Sequence, residues 1–267
     1  MSVLAASSGS ALWYLARATG MTALVLLTVS VVLGIVTSVR WSAPRWPRFV
    51  VEYVHRDVTL VVLALIVLHV ATVVIDGFAP IGWLAGVVPF ASPYRPIWLG
   101  LGALAFDLLL AIAVTSWLRH RIGFRTWRFV HWFAYGSWAV TVVHGLGTGT
   151  DTGQTWALFV YGACLVAVVA AVWWRLSVGW EHNPALRTAI LGATFVLPLA
   201  LFAWMRVGPL GSNWARRSGT PASVLAKAHR SQVTTSSDAN GTTGSSGSQP
   251  GTDGGNGGDD GFGGFDR

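Results

Sequence analysis

Charge is scarce in this chain: 11% of its 267 residues are charged, against 53% hydrophobic. A soluble domain of this length needs far more charge on its surface, so a soluble globular fold is excluded. Cysteine is scarcer still, with Cys164 alone inside an apolar run. One thiol excludes an internal disulfide, an iron–sulfur cluster and covalent c-type haem attachment. Cys164 itself reads as a small core residue. Acidic residues are outnumbered, giving a net charge of +7. Nucleic acid is not the expected partner, because the basic residues gather in loops beside hydrophobic segments, as in a membrane protein. The first residues lack a basic n-region and a clear cleavage site, so no removed signal peptide is expected.

What the chain has instead is long apolar runs. A helix needs roughly 20 apolar residues to cross the hydrocarbon core. Residues 18–39, 58–75, 152–174 and 188–205 are uncharged, 96–118 contain only Asp107, and 129–150 contain only two histidines. These predict six transmembrane helices. Backbone groups in lipid must be satisfied within each segment, so the expected fold is an all-α membrane protein, a six-helix bundle. Trp13, Trp41, Trp46, Trp117, Trp127 and Trp180 fall near helix ends, as interfacial anchors do. The segment 81–90 is apolar but too short to span, which suits a surface cap.

Arginine gives the orientation. Arg40, Arg45, Arg48 and Arg56 follow the first span, Arg119, Arg121, Arg125 and Arg128 the third, and Arg175 and Arg187 flank the loop after the fifth. The alternate loops hold only Arg95. The positive-inside rule makes the first set cytoplasmic and puts the N-terminus outside, in a multi-pass cell-membrane protein. Six helices then place the C-terminal tail outside, although Arg206, Arg216 and Arg217 argue the other way. Residues 1–206 form the expected membrane domain, and 207–267 the tail. The last 37 residues include eleven glycines among many Ser, Thr and Asp, a composition that cannot bury enough apolar surface to fold alone. A disordered tail is expected, either plainly solvated or a tether for an extracytoplasmic partner.

Four of the seven histidines lie in or at the mouth of predicted spans. His55 and His69 are 14 residues apart on the second helix, and His131 and His144 are 13 apart on the fourth. An ionisable side chain in the bilayer is costly and marks a functional hypothesis. One such histidine is as easily a hydrogen bond to a neighbouring helix; two matched pairs are not. Fourteen residues rise about 21 Å and thirteen about 20 Å. The two helices run in the same direction, so His55 is level with His131 on the cytoplasmic side and His69 with His144 on the outer side. Each level offers two neutral imidazoles, a good ligand set for one six-coordinate iron. Spacing alone leaves dinuclear iron or zinc open, but the levels are too far apart to share one cluster. Angular phase fits less well. Fourteen residues return to within about 40° of the start, whereas thirteen miss by about 140°. Rotamers, a distortion near Gly136 or rotated cofactors must absorb the difference.

The 14 and 13 spacings, with the helix bearing LARATG at residues 15–20, resemble the ferric reductase-like transmembrane domain. That family includes ferric reductases, NADPH oxidases and the haem subunit of bacterial methionine sulfoxide reductase. The likeness covers roughly residues 13–174. It implies two non-covalent b haems, one held by His55 and His131 inside, one by His69 and His144 outside. It implies electron transfer from the inner to the outer haem. Oxidases and many ferric reductases continue into a flavin and nicotinamide domain. Here a sixth helix and a polar tail follow, without a GxGxxG fingerprint. The expected protein is therefore the haem subunit of an oxidoreductase acting with a partner. A flavoprotein or quinol supplies its electrons, and an extracytoplasmic redox acceptor receives them. The alternatives are a histidine-lined transporter or metal permease and a membrane anchor for an extracytoplasmic partner.

Haem propionates are anionic and call for planar cations. Arg17 suits the outer haem; Arg56, beside His55, and Arg128, one turn before His131, suit the inner one, with Arg125 a further candidate. Positive-inside topology alone accounts for most cytoplasmic arginines. Asp107 reads as a proton or quinone site, as an acceptor for a histidine N–H, or as a protonated acid bonded to another helix. Trp138, midway between His131 and His144, reads as packing more readily than as a bridge between haems.

Overall fold

A computed structural model describes residues 2–39, 47–77, 79–149, 151–179 and 184–227, with the side chains of 2–10 left aside. Arg40, Trp41, Arg45, Trp46, Trp180, His182 and the Gly/Ser-rich tail lie outside the described residues. Regular structure among the described residues is entirely helical. In order come α1 (Ser2–Ser38), α2 (Arg48–Asp76), α3 (Trp83–Val87), α4 (Pro96–Trp117), α5 (Arg119–Ile122), α6 (Phe124–His131), α7 (Phe133–Thr148), α8 (Thr155–Gly179), α9 (Pro184–Val207) and α10 (Trp214–Arg217).

Five of these are long and apolar enough to cross a membrane among the described residues: α2, α4, α9, residues 11–38 of α1 and residues 155–178 of α8. The chain is an all-α membrane protein. The fourth expected span, 129–150, arrives in two pieces, α6 and α7, meeting at Trp132. The backbone of Trp132 stays helical at φ −63°, ψ −26°, so the chain passes from α6 to α7 without unwinding. The Trp132 N–H is shared between the carbonyls of Arg128 (3.2 Å) and Phe129 (3.3 Å), and the Tyr135 N–H bonds to Trp132 three residues back at 3.2 Å. Such tight bonds overwind the chain, by about 20° per residue relative to an α-helix. Overwinding is the direction needed to recover the phase missing between His131 and His144. The distortion sits at Trp132, not at Gly136.

The core is centred on α1. Its Leu24, Leu27, Val31 and Ile35, spaced three or four apart on one face, meet Val62 of α2, Leu109 of α4, Trp138, Val142 and Leu146 of α7, and Cys164, Val168 and Ala171 of α8. Cys164 is buried there as a small packing residue. Trp138 is buried, and its indole N–H donates to Thr28 Oγ1 at 2.9 Å. α4 packs along α7, and α9 touches α8 with no buried residue of its own. The expected surface segment forms α3, against α4 and the end of α2.

Local chemistry sets the ends. Gly77, at φ 63°, stops α2 in the left-handed conformation that favours glycine. Pro96 opens α4, where its missing N–H costs nothing. Three non-glycine residues are left-handed among those described: Phe90, Arg95 and Asn213. Such a conformation costs a side-chain-bearing residue roughly 1–2 kcal/mol. The compact unit runs to Leu225, past the boundary at residue 206 expected from composition. Aromatic contacts and an arginine, described below, hold the extra stretch. A second unit, Ala226–Arg267, is almost wholly outside the described residues.

Candidate functional site

The four singled-out histidines fall into two pairs. His55 of α2 and His131 at the end of α6 have ring centroids 6.2 Å apart, at 77° to each other. Two metal–imidazole bonds of about 2 Å on opposite sides of one ion, plus the ring radii, span on the order of 6 Å. The structure thus brings His55 and His131 together, while His69 is seated against α1 and His144 against α4. Among the described residues no group of three or more His, Cys, Asp or Glu converges as around a protein-caged ion.

Backbone carbonyls orient three of the rings. His69 Nδ1 donates to the Ala16 carbonyl at 2.7 Å, His55 Nδ1 to that of Ser30 at 2.9 Å, and His144 Nδ1 to that of Trp98 at 2.8 Å. A carbonyl only accepts, so Nδ1 carries the proton in each, and Nε2 keeps its lone pair for a metal. Each carbonyl is followed four residues later by a glycine: Gly20, Gly34 and Gly102. Helical side chains lean toward the N-terminus, so a Cβ four residues on would cover that carbonyl. At Gly20 an added Cβ would lie 2.9 Å from His69 Cε1, at Gly34 3.4 Å from His55 Cε1, and at Gly102 2.5 Å from His144 Cε1. The missing side chains give the imidazoles their seats.

Sequence reasoning missed these seats, though their signal is present. Ala16/Gly20 and Ser30/Gly34 repeat on α1 at the same 14-residue spacing as His55/His69 on the antiparallel α2. A second polar link joins the pair at Ser30. Thr59 Oγ1 donates to the His55 carbonyl at 2.7 Å, so the Ser30 hydroxyl donates to Thr59 Oγ1 at 2.8 Å.

His131 differs. Its Nδ1 is buried without a hydrogen-bond partner, and its ring stacks on Trp127 at 5.0 Å. The matching depth on α4 falls 13 or 14 residues past Trp98, at Ala111 and Ile112. Their carbonyls already accept the Thr115 hydroxyl, at 2.7 and 3.2 Å. No glycine follows four residues on; Thr115 and Ser116 stand there, and Ser116 Oγ accepts the Trp127 indole N–H at 3.1 Å. Trp127, read from the sequence as an anchor, is thus a neighbour of the site.

The arginines and Asp107 are placed as follows. Arg17, beside Ala16, pairs with Asp151 and lies 3.9 Å from the centroid of Trp13. Arg56, Arg125 and Arg128 are exposed, with Arg128 over Phe124 at 5.2 Å. Asp107 is half-buried on α4, and the three bonded histidine N–H groups reach carbonyls instead of it.

The site's residues fit a haem held by two imidazoles: paired rings, free Nε2 atoms, fixed tautomers and glycine seats. Residues 19–142 match the family model described as ferric reductase like transmembrane component. No curated protein and no solved structure matches the chain. The match takes in α2, α4, most of α1 and three of the four histidines, and it stops two residues short of His144. That segment is similar to the ferric reductase like transmembrane component, and the likeness suggests a transmembrane electron-transfer part.

Proposed function

We propose that the chain is a di-haem b membrane cytochrome that passes electrons across the bilayer as the haem subunit of an oxidoreductase. The 6.2 Å approach of His55 and His131 on different helices carries this reading. Bound haem b supplies a one-electron iron couple that the protein side chains lack. His55 and His131 hold one group near the cytoplasmic side, and His69 and His144 hold the other near the outer side. The carbonyls of Ser30, Ala16 and Trp98 keep a proton on Nδ1 and turn Nε2 toward the metal. Leu24, Leu27, Val31, Trp138 and Val142 exclude water between the levels. Arg17 serves the outer propionates, and Arg56 and Arg128 the inner ones. A flavoprotein or quinol is the donor, and the acceptor lies outside the membrane.

Reduced-minus-oxidised spectra and haem quantification on the purified protein test this. The expected result is two haems per chain with b-type bands. His55→Ala and His131→Ala should each remove the same haem, and His69→Ala and His144→Ala the other. A colourless protein from haem-sufficient cells that also resists reconstitution would sink the reading and favour a transporter. Loss of different haems by His55→Ala and His131→Ala would break the pairing.

A further inference from the structure

The end of the bundle next to His144 is closed by Arg95 and by residues 208–225, the latter beyond the family match. Arg95 is 6% exposed and left-handed at φ 43°. Its Nη1 donates to the carbonyls of Gly147 (3.2 Å) and Thr148 (3.0 Å), and its Nε to Thr220 Oγ1 at 3.0 Å. Its backbone N–H bonds to the Gly219 carbonyl at 3.0 Å. Gly147 and Thr148 end α7, three and four residues past His144. A cation there answers the helix dipole and the unpaired last carbonyls. Trp214 of α10 adds its indole N–H to the Gly147 carbonyl at 3.1 Å.

The same segment grips the other partner of His144. Trp98 offers its carbonyl to His144 Nδ1, and its ring lies against Trp204 (5.2 Å) and Trp214 (5.1 Å). Gly147 has no side chain, and Trp98 occupies the space one would need. Phe90, left-handed like Arg95, fills the corresponding space at Gly100 near the start of α4. Asn213, the remaining left-handed non-glycine residue among those described, begins α10. Of the three, Asn213 tolerates the left-handed region, whereas Phe90 and Arg95 are strained there and are held by their surroundings at this cap.

From this geometry we infer that Arg95 and Trp214 are positioning residues for His144. The segment 208–225 acts as a clamp that sets the ligand's height and ring angle from both sides. It fixes the end of α7 through Gly147 and Thr148, and it fixes the carbonyl that orients the imidazole through Trp98. The inference rests on the di-haem reading and assigns the C-terminal segment to one haem only. The clamp sets that haem's potential and the angle between its two ligands.

The test uses the full-length protein with Arg95→Gln, Trp214→Phe and the milder Thr220→Val. Redox titration and low-temperature EPR report each haem, and His69→Ala identifies which signals belong to the His69/His144 pair. In Arg95→Gln and Trp214→Phe, that pair's potential and low-spin EPR signal should shift while the other haem keeps both. Arg95→Lys should restore the wild-type signal only in part, because lysine lacks the planar fork whose separate Nη1 and Nε reach the carbonyls and Thr220. Unchanged signals in folded Arg95→Gln or Trp214→Phe protein would overturn the inference. So would equal shifts in both haems, the mark of general loosening. If Arg95→Gln fails to fold, Trp214→Phe and Thr220→Val decide by the same criteria. A wild-type chain without haem overturns the underlying reading and is seen before any variant is made.

Discussion

His55 and His69 share α2 at different depths, opposite His131 of α6 and His144 of α7, yet the two ends are built differently. At the His69/His144 end both rings donate to backbone carbonyls, of Ala16 and Trp98, and both face glycines where a Cβ would come within 3 Å. At the His55/His131 end one ring is bonded, its glycine leaves 3.4 Å, and the other ring has a buried Nδ1 with no partner. The first is a site with both ligands locked; the second has one ligand locked and one resting on Trp127. A histidine that donates Nδ1–H to a carbonyl is a more basic, better-oriented ligand. On the di-haem reading, the difference teaches that two haems with formally identical ligand sets need not share a potential or an affinity.

The largest expected break in this comparison is at the glycine seats. Gly102→Ala drives a Cβ into the ring of His144, which its bond to Trp98 keeps from moving aside. Overpacking of this kind costs about 1–3 kcal/mol. We expect the His69/His144 haem to be lost first on dilution in detergent. Gly34→Ala, where the contact is ordinary, should leave haem content nearly unchanged. Haem-to-protein ratios settle it: equal losses from the two variants would show that the ends are not built differently.

Much of this was legible in the sequence. Depth was, because rise along a helix is fixed: His55 opposite His131 follows from spacing and helix direction. Helix type was too, because lipid permits little else; helix number was less so, since the fourth of six expected spans arrives as α6 and α7 and five single helices are long and apolar enough to cross among the described residues. The carbonyl seats went unread, since they need the face of α1 as well as that of α2. Their glycines looked like ordinary small residues in apolar runs. The overwound joint at Trp132 was also hidden, because its two tight bonds depend on how α6 folds back on α4 through Trp127 and Ser116. The clamp at Arg95 lay furthest from view. Its partners Gly147 and Thr220 are distant in sequence, and residues 208–225 look polar and tail-like until Trp214 meets Trp98.

A middle-sized effect tests what joins the ends. Trp138 is buried in the core on α7, and its N–H bonds Thr28, whose own hydroxyl donates to the Leu24 carbonyl at 2.9 Å. Trp138→Phe keeps an aromatic ring and removes one hydrogen bond, for about 1 kcal/mol. Thermal unfolding in detergent should show that loss, while both haem potentials stay in place. A shift in electron-transfer rate without loss of stability would instead make Trp138 a bridge between the levels.

The comparison can also be sharpened by making the weak seat resemble the strong ones. Thr115→Val releases the carbonyls of Ala111 and Ile112, and Ser116→Gly clears the position four residues after Ile112. The double variant should let His131 Nδ1 find a carbonyl. One hydrogen bond of about 1 kcal/mol to the ferric-favouring ligand corresponds to about 40 mV for one electron. The haem of the His55/His131 end should move to lower potential by up to that amount, and the other should not move. A rise in potential would mean that the unpaired Nδ1 is not what distinguishes the ends.

The smallest effect concerns Arg17, which the sequence offered to a propionate and the structure pairs with Asp151. Both side chains keep about a quarter of their surface exposed, at 25% and 21%. An ion pair of that kind contributes about 0–1 kcal/mol. Arg17 follows Ala16, the residue whose carbonyl holds His69, so its guanidinium stands at the right depth for an anionic cofactor edge. If Arg17 serves the cofactor, Arg17→Gln should weaken retention of the His69/His144 haem by up to about fivefold, the equivalent of that energy. Asp151→Asn should not weaken it, because the cation remains. Matching losses from the two variants would show that the ion pair itself, by tying α1 to the turn before α8, is what that end of the bundle requires.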